Sequence, residues 1–132
     1  MSVSSDVSGT RKPTLILVED DEALLFLLSE QLTEMGYDLV PVSSGSVAWQ
    51  LIEDGLGFDL LISDVVLPGG IGGFELTRRV QQLHPDKPAL LLSGYGRHVG
   101  DAPSDVNAQV LPKTTSPDLL GDEIVALLQA AS

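Results

Sequence analysis

The chain has 132 residues, with seven basic against 19 acidic side chains and a formal net charge of −12. So few cations cannot neutralise nucleic-acid phosphates in number. No apolar run approaches the ~20 residues of a membrane-spanning helix, and the lack of cysteine excludes disulfides and thiolate metal sites. What remains is the class of soluble single domains with one real core, whose acidity serves either solubility or the holding of a cation.

In chain order, Met1 to Thr10 lacks the charged-then-apolar order of a secretory signal. Residues 1–12 read as a flexible tail and 13–130 as the domain, with the cysteine-free composition fitting the cytoplasm. Leu15-Ile16-Leu17-Val18 is a continuous apolar run, as in a strand buried on both faces. Leu24, Leu27, Leu28, Leu32 and Met35 follow at helical spacing, and Gly36 stops that helix. Leu39 to Val42 is a second strand, marked as an edge by Pro41. Val47, Ala48, Leu51 and Ile52 give a second helix, capped by Ser44 or Ser46, with Trp49 off its stripe and partly exposed. Phe58 to Ile62 is a third strand, interrupted by a structural or solvated Asp59.

Phe74, Leu76, Thr77, Val80 and Leu83 form a third helix that halts before Pro85. Ala89 to Leu92 is a fourth strand. From Gly94 to Asn107 three glycines, one proline and weak periodicity predict an irregular segment or a degenerate fourth helix. Gln109 to Leu111 is the fifth strand. Ser116 then caps a last helix with Pro117 in its first turn and Leu120, Ile124, Leu127 and Leu128 on its stripe.

This alternation predicts an α/β domain with a five-stranded parallel sheet and right-handed crossovers. Two strand orders are common for such sheets, and 2-1-3-4-5 is the expected one here. Ligands in such folds bind beyond the carboxyl ends of the strands, where the order reverses. The first strand ends in Glu19-Asp20-Asp21, the third in Ser63-Asp64, the fourth at Ser93 and the fifth at Lys113. Neighbouring carboxylates repel, and a hard cation such as Mg2+ or Mn2+ removes the conflict. A carboxylate so placed can attack phosphorus. The cation, Lys113 and Ser93 would then offset charge on the phosphoryl oxygens. Asp21 reads as a helix cap rather than a ligand. His84 and His98 read as structural or solvated. Gly69-Gly70 and Gly72-Gly73 lack dinucleotide spacing and read as giving the loop beyond Asp64 room to move.

The motifs Leu15-Ile16-Leu17-Val18-Glu19-Asp20-Asp21, Asp59-Leu60-Leu61-Ile62-Ser63-Asp64-Val65-Val66-Leu67-Pro68-Gly69-Gly70, Leu92-Ser93-Gly94-Tyr95 and Leu111-Pro112-Lys113 together resemble the response-regulator receiver domain over about Pro13 to Ala130. The resemblance implies a CheY-like, flavodoxin-like three-layer fold. It implies Asp64 as the phosphoacceptor, and Glu19, Asp20, Asp64 and the Val66 backbone carbonyl around Mg2+. It also implies Ser93 as the switch hydroxyl and Lys113 as the phosphate-binding lysine. The donor it implies is a phosphohistidine on a sensor histidine kinase or histidine phosphotransfer protein. Such a domain carries out only its own phosphorylation and dephosphorylation; the composition argues separately against nucleic-acid binding and membrane insertion, and the oligomeric state, monomer or weak dimer, is left open. The Ser-Gly-Tyr turn and Leu-Pro-Gly-Gly stretch look most like receivers of hybrid histidine kinases; whether the chain acts as a stand-alone relay or as a piece of a larger sensor kinase is left open by the sequence. Two departures stand out. Thr114 follows Lys113 where the family has proline, usually after a cis bond. Val110 stands where the family often has a switching aromatic, so signalling is expected to bypass that switch. A pseudo-receiver that binds partners without phosphorylation and a small Mg-dependent aspartate-nucleophile phosphohydrolase are the alternatives.

Overall fold

The computed structural model describes residues 11–94 and 102–131. In chain order the elements are β1 (Thr14–Val18), α1 (Glu22–Glu34), β2 (Asp38–Val42), α2 (Gly45–Glu53), β3 (Leu60–Asp64), α3 (Gly73–Leu83), β4 (Ala89–Ser93), β5 (Ala108–Pro112) and α4 (Pro117–Ala131). All strand pairs are parallel and the order is β2-β1-β3-β4-β5. The expected order 2-1-3-4-5 is therefore the observed one.

Strand composition follows position. Every residue of β3 and β4 is buried, because helices cover both faces of the central strands. The edge strands β2 and β5 are only partly covered. Pro41 sits in β2 opposite Leu17, on an edge where its missing N–H costs no ladder bond. Alternation along β1 splits the core. Ile16 and Val18 join Leu61, Ala48, Ile52, Leu76 and Val80 on the side of α2 and α3. Leu15 and Leu17 join Leu60, Ile62, Leu90, Leu28, Leu32, Leu120 and Ile124 on the side of α1 and α4. Each fully buried Leu or Ile contributes roughly 1.5–3 kcal/mol.

The helix ends follow capping chemistry. Asp21 accepts from the Ala23 and Leu24 amides at 3.0 and 3.1 Å. Of the two candidate caps for α2, Ser44 is the one used, accepting from Val47 N at 3.1 Å. The Ser116 hydroxyl accepts from Leu119 N at 3.3 Å. Gly36, at φ +101°, closes α1 as only glycine does cheaply.

Three expected stripes need correction. Leu27 of α1 is 51% exposed, Val47 of α2 49% and Leu83 of α3 53%, and Met35 is exposed as well. Helix α1 docks through Leu24, Leu25, Leu28 and Leu32 instead. Trp49 is partly exposed as expected, and its ring carries the Arg79 guanidinium 5.8 Å from its centroid. Asp59 is structural. It takes a two-pronged ion pair from Arg11, both contacts 2.9 Å, and accepts from Thr14 N at 2.8 Å.

Residues 102–107 form no helix, and the described residues contain four helices. Side chains of α3 hold this segment. Arg78 pairs with Asp105 at 2.6 Å, and the Gln81 amide both donates to Asn107 O and accepts from Asn107 N. The rest of the irregular segment, with Tyr95 and His98, lies outside the described residues. Within the described residues no helix is long and apolar enough to cross a membrane.

Candidate cation and phosphoacceptor site

The site forms where β1, β3, β4 and β5 end. Glu19 leaves β1 with its amide bonded to Val42 O, which directs its side chain inward at 1% exposure. Asp64 closes β3 and is 5% exposed, while Asp20 is open to solvent. One carboxylate oxygen from each of Glu19, Asp20 and Asp64 lies within 4.8 Å of the others. Lys113 follows β5, and its Nζ reaches Asp64 Oδ2 at 2.7 Å and Glu19 Oε1 at 3.0 Å. No peptide bond among the described residues is cis, the one after Lys113 included, and the lysine makes both contacts. Ser93 ends β4 one residue past the partner of Asp64 in the ladder. Its carbonyl takes the Lys113 amide at 2.9 Å, so the two strand ends are aligned.

Charge at the site is unbalanced. Burial pushes the Asp64 carboxyl above its ordinary range, Asp20 adds to the push, and Lys113 only partly opposes it. Burial also pushes Glu19 up, against the Asp21 amide and Lys113, with the Asp64 charge adding to the rise. For Lys113, burial works against the ammonium but its bonds to Asp64 and Glu19 outweigh it, so its pKa is raised. Three carboxyl groups share this edge with one ammonium, so full ionisation would leave two negative charges in excess.

The donor set fits a hard divalent cation. All the side-chain ligands are carboxylate oxygens, the type Mg2+ and Ca2+ prefer. Glu19 Oε2 accepts from the Asp21 amide at 3.0 Å, but buried Oε1 has the Lys113 ion pair and no well-directed hydrogen bond. Two residues past Asp64, the Val66 main chain makes no hydrogen bond among the described residues, so its carbonyl is not committed there.

Two features escaped the sequence reading. Ser63 is buried, and its hydroxyl donates to the Asp64 carbonyl oxygen at 2.8 Å. Gly73 is not a hinge. A Cβ there would collide with that same carbonyl oxygen, and its amide donates to Val65 O at 2.8 Å. Gly45 makes a similar close approach to the Ile71 carbonyl. Gly73 therefore pins the end of the loop where α3 begins, whereas a Cβ at Gly69 would meet nothing within 4 Å and one at Gly70 only the Ser46 hydroxyl at 3.7 Å; Gly69, at φ +87°, is there for its backbone conformation. No periodicity announces such contacts, because a buried serine or a close-packed glycine reads like any strand-end or turn residue.

The pattern of the response regulator receiver domain matches residues 15–124, and the chain belongs to this family of two-component signalling domains. It is a receiver domain of a signalling protein. The response regulator receiver protein CpdR of Brucella abortus (strain 2308) is 31% identical over 121 residues, covering 89% of this chain and 98% of CpdR. The sensor kinase CckA of the same strain is 31% identical over 129 residues, covering 96% of this chain but only 13% of CckA. Among solved structures, a response regulator receiver protein from Sinorhizobium medicae WSM419 matches with TM-score 0.84 at 23% identity, over 92% of this chain and 98% of its own. The response regulator TrrA from Thermotoga maritima, in complex with Mg2+–BeF, matches with TM-score 0.78 at 26% identity, over 87% and 98%.

Proposed function

We propose that this chain takes a phosphoryl group from a phosphohistidine onto Asp64, with Mg2+ (or Mn2+) bound, and that the modification switches its interactions with partners. The observation that carries the reading is the convergence of Glu19, Asp20 and Asp64 within 4.8 Å, with Lys113 on two of them. The donor would be a sensor histidine kinase or histidine phosphotransfer protein, met in the cytoplasm. Likeness to the sensor kinase CckA and the receiver protein CpdR supports such a donor, and the Mg2+–BeF complex of TrrA supports the cation.

In this reading Glu19, Asp20, Asp64 and the Val66 carbonyl hold the cation, which when bound offsets carboxylate repulsion and charge on the phosphoryl oxygens. An Asp64 carboxylate oxygen attacks phosphorus while the phosphorus–nitrogen bond to the donor histidine breaks, and the imidazole leaves with the electron pair. Lys113 offers its ammonium to the transferring oxygens from a position already beside Asp64. Ser93 donates its hydroxyl to one of those oxygens. Position 110 has no aromatic to flip. Val110 is buried with Val65 and Leu91, so the switch would run through another part of the fold.

Incubation with a small phosphodonor and Mg2+, followed by intact mass, tests this. The expected result is one phosphoryl adduct, absent in Asp64→Ala. Many-fold turnover of a phosphate ester would indicate a hydrolase instead, and no adduct under any condition would indicate a pseudo-receiver.

A further inference from the structure

The residue before the phosphoacceptor is a serine in a strand that otherwise reads Leu60-Leu61-Ile62, and it is 0% exposed. A buried hydroxyl needs a partner, and this one donates to the main-chain carbonyl of Asp64 at 2.8 Å. The same oxygen is the atom that a Cβ at Gly73 would meet first. The next carbonyl, of Val65, accepts from Gly73 N at 2.8 Å, and the Val65 amide donates to Leu92 O at 2.9 Å. Two successive carbonyls after the nucleophile are thus tied back to the protein. The third, of Val66, has no such tie among the described residues.

The peptide plane of the Asp64 carbonyl is the first link between the Asp64 side chain and the Val66 carbonyl. Holding that plane fixes the nucleophile and the main-chain ligand relative to each other before any cation arrives. Preorganisation of this kind is what separates a tight cation site from a loose cluster of acids. We propose that Ser63 is a positioning residue for the cation site, acting through the Asp64 carbonyl. This rests on the receiver reading above. A serine that merely fills space at the end of β3 would leave cation binding unchanged when its hydroxyl is removed.

The test is calorimetric titration with Mg2+ of the wild-type chain, Ser63→Ala and Ser63→Thr, with unfolding midpoints to confirm that each is folded at the assay temperature. The intact-mass assay with a small phosphodonor is run alongside. Ser63→Ala is expected to weaken Mg2+ binding by about 10-fold, at the low end of what loss of a supporting hydrogen bond does to metal sites. Adduct formation below saturating Mg2+ should fall in step with that affinity. Ser63→Thr keeps the hydroxyl and should restore affinity. Wild-type affinity in Ser63→Ala, or equal weakening in both variants, would overturn the role of the hydroxyl while leaving the receiver reading in place. A wild-type chain that binds no Mg2+ would sink both.

Discussion

At the scale of single residues, the site is defined by charge that the protein alone does not balance. Glu19 and Asp64 are held above the ordinary carboxylate range chiefly by burial, and Lys113 answers only part of their charge. A raised folded-state pKa means that these two groups favour the folded chain at acidic pH, and that this contribution is lost as pH rises through the raised values. A divalent cation takes carboxylates in their deprotonated form, so Mg2+ at this site would have to displace protons at low pH and not at high pH. The rise in unfolding midpoint on adding Mg2+ is therefore expected to be small near about pH 5 and to grow toward about pH 8. Carboxylates such as Asp59, whose pKa is lowered mainly by its bond from Arg11, act equally with and without Mg2+ and cancel from the difference. Thermal unfolding across that pH series checks the trend, and a Mg2+ effect that shrank with rising pH would contradict it. Glu19, Asp20 and Asp64 were legible in the sequence because acids at strand ends break an apolar pattern. Ser63 was not, because its importance lies in which carbonyl it meets.

At the scale of elements, caps and stops were legible and stripe edges were not. Asp21, Ser116 and Gly36 act through their own side chain or φ, and local chemistry suffices to place them. Helix α1 carries Leu24, Leu25, Phe26, Leu27 and Leu28 in succession, so periodicity finds its apolar arc but not which rim faces water. Docking decided against Leu27 and Phe26. The start of α3 shows the same limit. Gly73→Ala should destabilise the chain by ~1–3 kcal/mol, since the new methyl group must displace the Asp64 main chain rather than a flexible side chain. Gly70→Ala meets only the Ser46 hydroxyl at 3.7 Å and should stay within about 0.5 kcal/mol of wild type. Urea unfolding of the two variants separates close packing from a merely flexible loop; equal effects would remove the pinning assigned to Gly73.

At the scale of the whole molecule, strand order does the functional work. Glu19 and Asp64 are 45 residues apart and Lys113 lies 49 beyond Asp64, yet the order β2-β1-β3-β4-β5 delivers all three to one edge of the sheet. That convergence could be anticipated from the alternation of elements together with the rule that ligands sit beyond the carboxyl ends of parallel strands. The segment after β4 was anticipated only as irregular, because its hold on α3 through Arg78, Gln81, Asp105 and Asn107 joins residues that no local pattern connects. The most direct measurement of the central claim is chemical trapping of the acceptor. The chain is treated with a phosphodonor, with and without Mg2+, then with borohydride, which reduces an aspartyl phosphate to homoserine, and the peptides are sequenced by mass spectrometry. Homoserine at position 64, formed only when Mg2+ is present, is the predicted result; homoserine at position 20, or at no position while a histidine-reactive donor is consumed, would contradict it.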